Sequence, residues 1–443
     1  MNEKFSRPLL YERLHLRSPM NEIIFTARIQ GIISSEQLSI VLQKLRVKHP
    51  LLSCKIQFDE EGRAEFIEDN DIKFNIDVKT RDSDQTWVEH ALTTSKHPFN
   101  VETGPLIRFA LISDNKITDL ILYCHHIICD GLSLSFLIKH IMEFLANPNK
   151  PIEPIKNLPL VINENFPHKT KSPLIIRLIF SWLNRKWRKV KKTFSETEFK
   201  RMFNEIWKNK TRKVYIHEFS REISSRFVNR CKKEEVTVNS AFFAAMASAE
   251  NKILYQNLKN KFKIGLPIDL RDKLIIPIGE SLGLYAGAFS LWIKFDPSKK
   301  FWEQCRFFHK NIKKNFSDHK IFAISMLNLL EPNLIDALYF QTAGKIDIPV
   351  VRTFTNIFGI IKPIIGVGIT NLRTLELPEQ YGDLKLDFLT FIPPCVMNYN
   401  LVMGLWSFSG KIGFSFSYWE PNISEDTIKE IANQLINLIE NEC

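Results

Sequence analysis

His125 and His126 are adjacent, and Asp130 and Gly131 follow four and five residues after the second histidine. Imidazole has an unperturbed pKa of about 6.5 and suits proton abstraction near neutral pH, so general-base catalysis is the leading chemistry for this cluster. Residues 118–124 (TDLILYC) are rich in β-formers, and residues 132–145 (LSLSFLIKHIMEFL) repeat their apolar members at helical spacing. The histidines therefore fall at a strand-to-turn junction between two core elements, a rigid place to hold a base. Cys124 and Cys129 lie close enough in sequence to suggest a thiol nucleophile with a histidine base. Cysteine is common in cores, however, and the general-base reading takes precedence. No metal is expected, because adjacent histidines on a turn seldom aim at one ion and the remaining Cys and His follow no zinc spacing.

The pattern H-H-x-x-x-D-G resembles the signature of the acyltransferase superfamily that includes chloramphenicol acetyltransferase, nonribosomal peptide condensation domains, carnitine acyltransferases, plant acyl-CoA acyltransferases and polyketide-associated acyltransferases. Further landmarks occur in order. Arg46 with His49-Pro50-Leu51-Leu52 looks like R-x-x-H-P-x-L; Pro98-Phe99-Asn100 and Gly104-Pro105-Leu106-Ile107-Arg108 look like the family's PFD and GPL-x-R segments. Val236-Thr237-Val238-Asn239, Pro267-Ile268-Asp269-Leu270-Arg271 and Leu282-Gly283 resemble landmarks of its second half. The resemblance implies an α/β fold of two chloramphenicol acetyltransferase-like mixed-sheet domains with a tunnel between them and His126 midway along it. It implies His126 as the base, His125 in support, and Asp130 in a structural ion pair with Arg271. Gly131 is expected where the backbone turns sharply beside a channel that a Cβ would enter. Ile369-Thr370-Asn371-Leu372-Arg373 aligns with S/T-N-L-G: Asn371 could lend its amide to an oxyanion or acceptor, and Arg373 stands where the family has glycine. The DFGWG motif of the plant enzymes is missing, with Asp387-Phe388-Leu389 at most a remnant.

These residues need elements to position them. The pattern predicts strand 22–30, helix 35–48, a hairpin around 59–62, strand 73–78, helix 84–95, paired strands near 106–112 and 117–124, then the helix after the motif. Six prolines between residues 147 and 173 mark a crossover rather than an element. The second part predicts strand 214–218, a helix to about residue 233, a helix over 239–258, strands 263–268, 286–294, 367–371, 396–404 and 412–418, and a closing helix 424–440. The expected division is 1–165 for the domain carrying HHIICDG, 166–211 for a basic crossover, and 212–443 for the second domain.

Charge concentrates in that crossover. The chain of 443 residues has 60 Lys and Arg against 49 Asp and Glu, while residues 169–213 alone hold fifteen basic residues and three Glu. Outside it, 60 less 15 leaves 45 basic residues and 49 less 3 leaves 46 acidic ones. Residues 173–192 (PLIIRLIFSWLNRKWRKVKK) place Ile176, Ile179, Phe180, Leu183, Trp187 and Val190 on one helical arc, with basic residues around the other side. Arg185, Lys186, Arg188, Lys189, Lys191 and Lys192 are the candidate surface for an acidic acyl carrier protein or an anionic membrane. A solvated face on a packed helix is the competing explanation. Nucleic acid is not an expected partner, since no recognition motif accompanies the charge.

Seven cysteines without repeated spacing argue against a disulfide framework and for a reducing compartment. With no signal-peptide core at the start and no run of about 18 apolar residues, a cytoplasmic location is expected, with peripheral membrane contact as one use of the basic segment. No flanking carrier, adenylation or thioesterase domain is read, so the expectation is a stand-alone acyltransferase with no bound cofactor. Its donor is acyl-CoA or a phosphopantetheine thioester on a carrier protein, and its acceptor the hydroxyl of a hydrophobic molecule. Thirty-four phenylalanines and the apolar run 357–367 hint at a hydrophobic channel, although core packing accounts for most of them. The alternatives are a condensation enzyme forming an amide with an amine acceptor, and a non-catalytic docking module of the same fold.

Overall fold

The strand that ends in the histidine pair is apolar on both faces, a pattern that places a strand inside a covered sheet. In the computed structural model it is central. The structure describes residues 5–155, 158–167, 173–256, 261–358, 366–395, 399 and 401–443. The first large sheet runs in the order β12 (Gln380–Tyr381), β13 (Leu384–Ile392), β2 (Glu22–Gln30), β7 (Ile117–His125), β6 (Ile107–Ser113), β5 (Ile76–Thr80). The second runs β10 (Ala286–Lys294), β9 (Lys261–Asp269), β11 (Gly366–Thr374), β14 (Leu401–Phe408), β15 (Lys411–Glu420), β8 (Thr211–Glu218). A small sheet joins β1 (Ser6–Pro8), β4 (Ala64–Glu68) and β3 (Cys54–Phe58). Both large sheets are mixed: β5 is parallel to β6, and β11 is parallel to both of its neighbours.

Helices α1 (Ser35–Lys48), α2 (Thr86–Thr94) and α3 (Gly131–Ala146) accompany the first sheet. Each packs by helical periodicity: α1 buries Leu38, Val41, Leu42 and Leu45, and a capping box between Ser34 and Gln37 fixes its start. Helices α6 (Arg221–Lys233), α7 (Val238–Leu254), α8 (Phe301–Asn315) and α12 (Glu425–Asn441) cover the second sheet. A third apolar cluster is largely helical. There α4 (Leu174–Trp187) and α5 (Glu196–Asn209) pack on α10 (Pro332–Thr342) and α11 (Pro349–Ile357), with the short α9 (Asp318–Ile321) preceding them in sequence.

Two α/β domains with mixed sheets are thus present, but sheet membership does not follow a cut at residue 212. β13 pairs with β2 through Ile392 opposite Ile24, so two strands from the second part, β13 and the edge strand β12, extend the first sheet. This pairing spans hundreds of residues, and local alternation cannot reveal it. The strand expected at 73–78 is Ile76–Thr80, and the one expected at 396–404 is Leu401–Phe408; residues 396–398 and 400 lie outside the described residues. So do residues 257 and 258 of the helix expected to end at 258, residues 168–172 of the crossover, and residues 359–365 of the apolar run 357–367. The expected helix 173–192 ends at Trp187, and Lys191 beyond it adopts a φ of 50°. All seven cysteines are free thiols. Among the described residues no single helix is long and apolar enough to cross a membrane.

Candidate active site

β7 delivers His125 at its last position, and the chain then turns: Ile128 N–H donates to the His125 carbonyl at 3.1 Å before Asp130 opens α3. Asp130 is the N-cap, with extended backbone (φ −121°, ψ 178°) and a carboxylate that accepts from Ser133 N–H at 2.8 Å. The motif is therefore a strand end and a helix start locked together by a four-residue turn.

The two imidazoles differ in surroundings. His125 is fully buried; its Nδ1 lies 3.2 Å from Ile127 N–H, and its Nε2 lies 2.7 Å from Asn21 Nδ2. Burial, then His126, pushes its pKa down to about 3, so it stays neutral. His126 is the one residue between 120 and 131 that is not buried. Its Nδ1 lies 2.8 Å from the Cys129 carbonyl oxygen. A carbonyl only accepts, so Nδ1–H donates and Nε2 keeps a free lone pair. Its backbone N–H donates to Asn21 O at 2.6 Å. Burial lowers the His126 pKa, and the Cys129 carbonyl and the Asp130 carboxylate only partly oppose it. A neutral imidazole with a free Nε2 is the form a general base requires.

Asp130 is turned toward Arg271. Arg271 Nη1 donates to Asp130 Oδ2 at 2.9 Å and Nη2 to Oδ1 at 3.1 Å, a bidentate pair buried between the two halves. Tyr285 N–H adds a bond to Asp130 Oδ2 at 2.9 Å, and Arg271 Nη2 also donates to Ser133 Oγ at 2.8 Å. Burial works against ionisation of Asp130, but Arg271 and the two backbone N–H groups outweigh it and hold the carboxyl below its usual value. Gly131 is the first residue of α3, and its φ is not in the left-handed region. A Cβ there would come within 2.5 Å of Leu372 Cδ2 and 3.1 Å of Phe391 Cε2. The expected sharp turn is thus corrected: glycine is required by the close approach of β11 and β13.

Asn371 lies on β11, half-buried, beside a cavity of about 760 Å3 that is also lined by Leu132, Asn239, His309 and Trp406. Its Oδ1 accepts from Arg373 N–H at 2.7 Å, and its Nδ2 donates to Asn239 Oδ1 at 3.3 Å. Arg373, in the glycine position of the pattern, has a φ of +61°. Lys273 and Lys313 line the same cavity. Ser18, Pro19 and Met20, continuous in sequence with Asn21, line a second cavity of about 470 Å3.

Cys129 is buried, and its thiol is pushed well above the ordinary range by burial and by Cys124, which removes it as a nucleophile. No cluster of potential metal ligands is found among the described residues. Of the basic candidates, Arg185, Lys186, Arg188, Lys189 and Lys191 are exposed, whereas Lys192 is half-buried against Phe194 and paired with Glu198 at 3.0 Å. Arg188 pairs with Glu331 at 2.7 Å. The apolar arc read from the sequence is the packed face: Phe180, Leu183 and Trp187 are buried, with Ile176, Ile179 and Val190 packed beside them.

Two groups were given no role by the sequence reading. The His15 ring lies 4.0 Å from that of His126, tilted by 35°. It is set there by flanking arginines, Arg13 bound to Asp336 of α10 at 2.7 Å and Arg17 to Glu196 of α5 at 2.6 Å. Nothing in its local sequence marks it. His49, by contrast, sits in a landmark segment. Its Nδ1 accepts from Leu282 N–H at 3.3 Å, its Nε2 meets His140 Nδ1 at 3.0 Å, and His140 Nε2 donates to Glu280 at 2.9 Å. This relay fastens the loop that carries Leu282 and Gly283 onto α3.

Comparison with known proteins supplies an independent line. Residues 15–159 match the family model described as Condensation domain. A plipastatin synthase polypeptide of Bacillus subtilis (strain 168) is 28% identical over 124 residues, 28% of this chain and 5% of that protein. Bacitracin synthase 1 of Bacillus licheniformis is 29% identical over 132 residues, 28% of this chain and 2% of that protein. The matches therefore span only a few per cent of these relatives' length. In fold, TRI3 trichothecene 15-O-acetyltransferase from Fusarium sporotrichioides is similar with a TM-score of 0.71 at 12% identity, covering 99% of this chain and 95% of that one. Polyketide synthase associated protein 5 from Mycobacterium tuberculosis gives 0.61 at 15% identity, covering 99% and 100%. The first condensation domain of the CDA synthetase gives 0.64 at 11% identity, covering 98% and 93%. By its matched segment and its whole-chain fold, the protein resembles the condensation-domain and chloramphenicol acetyltransferase-like acyltransferases, the superfamily to which its HHxxxDG motif pointed.

Proposed function

We propose that this protein transfers an acyl group from a thioester, carried on coenzyme A or on the phosphopantetheine of a carrier protein, to the hydroxyl of a hydrophobic acceptor. The observation that carries the reading is the state of His126, a neutral imidazole whose Nδ1–H is held by Cys129 O while Nε2 stays free. In the proposed step, His126 Nε2 takes the hydroxyl proton as the oxygen attacks the thioester carbonyl. The tetrahedral oxyanion collapses, the C–S bond breaks, and the imidazolium returns its proton to the departing thiolate. No residue of the enzyme is acylated. The cationic side chains Lys273, Lys313 and Arg373 around the larger cavity suit the phosphates of the donor arm. Asn371 is assigned to the acceptor or oxyanion side of the larger cavity, at its junction with Asn239.

Amide formation is the second reading. It is favoured by the match of residues 15–159 to the condensation family and by the similarity to segments of the plipastatin and bacitracin synthases. The same base would then take a proton from an amine.

Thiol release from a panel of acyl-CoA and acyl-carrier thioesters, with and without long-chain alcohols and amines, tests both readings. Release that requires an alcohol and is lost in His126→Ala supports ester formation, and release that requires an amine selects the second reading. Normal turnover in His126→Ala would remove the mechanism, and silence with every donor would favour a docking module of the same fold.

A further inference from the structure

Helix α4 shows two apolar faces, and only one of them is used inside the protein. Phe180, Leu183 and Trp187 are buried against α10 and α11. On the opposite arc, at about 100° per residue, Leu174, Ile175, Leu178 and Trp182 are between 41 and 70% exposed. Sixteen large apolar residues are exposed among the described residues, and four of them lie on this arc. Besides those four, Leu329 is tied to α4 by a bond from Asn184 Nδ2 to its carbonyl at 2.7 Å. Ile357 and Phe358 end α11, and the Phe358 ring lies 5.8 Å from that of Phe180. Such a concentration exceeds the scatter of single exposed apolar residues normal on a soluble surface.

The charge on this face is arranged along the helix. Its first turns are apolar, and its end carries exposed Arg185, Lys186, Arg188 and Lys189, with Arg177 at the flank. Lys186 Nζ sits 6.0 Å from the Trp182 ring. Among the described residues, only Arg188 of these five has a carboxylate partner. A carrier protein would answer the charges but leave the apolar first turns exposed. A second copy of the chain would cover the apolar turns while bringing two basic ends together.

We propose that this face of α4 docks on an anionic lipid bilayer, with Leu174, Ile175, Leu178 and Trp182 entering the interface and the basic end meeting phosphate headgroups. The surface adjoins the helical cluster that holds the segment of His15 through Arg13 and Arg17. Docking would bring the enzyme to the phase in which a hydrophobic acceptor dissolves. The surface proposal itself is independent of the acyl-transfer reading, because it rests on α4 alone.

Sedimentation of the full chain with vesicles of phosphatidylcholine, alone or with about 30 mol% phosphatidylserine, tests it at low salt. Wild type is expected to sediment with the phosphatidylserine vesicles and to be released as ionic strength rises. Reversal of two exposed charges, Arg185→Glu with Lys189→Glu, should weaken partitioning by at least roughly 30-fold, from about fivefold per basic residue removed. Leu178→Glu with Trp182→Ala should weaken it at unchanged charge on the basic end. Both pairs are exposed, so an unchanged thermal melt is expected and separates lost docking from lost folding. Wild type that stays in the supernatant with anionic vesicles overturns the proposal. So does a variant pair that melts like wild type and sediments equally well, or a concentration-dependent dimer that both pairs abolish while vesicle binding persists.

Discussion

The Nδ1–H of His126 donates to the carbonyl oxygen of Cys129, three residues on, at 2.8 Å. This one bond spans the turn between β7 and α3, so the backbone that makes the turn also selects the tautomer of the proposed base. No acidic side chain is needed to orient the ring, and Asp130 is free to serve the junction with Arg271.

A pH dependence follows. Burial pushes the His126 pKa below the ordinary value of about 6.5, with Cys129 O and Asp130 partly offsetting it. The charged form is the inactive one, so kcat/KM should be flat through pH 7 and fall only as the pH drops through a midpoint below about 6.5. A pH–rate profile of acyl transfer under free-enzyme conditions measures this limb. A midpoint above 7 would mean that another group limits the rate.

How much of this was legible beforehand depended on the range of the interaction concerned. Strand Glu22–Gln30, helix Ser35–Lys48 and strand Ala286–Lys294 have the bounds their periodicity gave, because alternation and capping are local. The junction of β7 and α3 was legible for the same reason. The place of Leu384–Ile392 in the first sheet was not, since its partner strand lies far away in sequence. Helices α10 and α11 went unassigned. On α4 the wheel showed an apolar arc, but not that α10 and α11 would cover it and leave a different apolar arc in solvent. His15 reaches His126 through long-range contacts of its segment, among them the pairs of Arg13 and Arg17, which no spacing rule encodes.

Arg373 combines backbone strain with a place on the larger cavity. Its φ of +61° lies in the left-handed region, which costs a side chain with a Cβ about 1–2 kcal/mol relative to glycine. Arg373→Gly should therefore raise stability by about 1 kcal/mol in urea denaturation, less whatever flexibility glycine adds to the unfolded chain. If the guanidinium meets a donor phosphate, the same variant should raise KM for the thioester roughly tenfold with kcat little changed. Stability and donor affinity moving in opposite directions is the signature to look for. A variant with unchanged KM would leave Arg373 without a role in donor binding.

The pair of Asp130 and Arg271 should matter to stability more than to the proton transfer itself. Both groups are buried; Arg271→Ala strands the Asp130 charge and should cost about 3–5 kcal/mol, while Asp130→Asn leaves Arg271 with Asp269 at 3.2 Å and should cost less. The double variant should cost less than the two added together, because Asp130 and Arg271 are both gone and, of the charged groups, only Asp269, 3.2 Å from Arg271, loses a partner. The Asp130 pKa is depressed in the folded protein, since Arg271 and the N–H groups of Ser133 and Tyr285 overcome burial. Its contribution is thus complete above the unfolded value of about 3.9 and is lost as the pH falls from there through the lower folded value. Urea melts of wild type and Asp130→Asn at neutral pH and across the acid range should show the difference between them shrinking only below about pH 4. Equal stability of the two proteins at neutral pH would show that the ion pair does not hold the halves together.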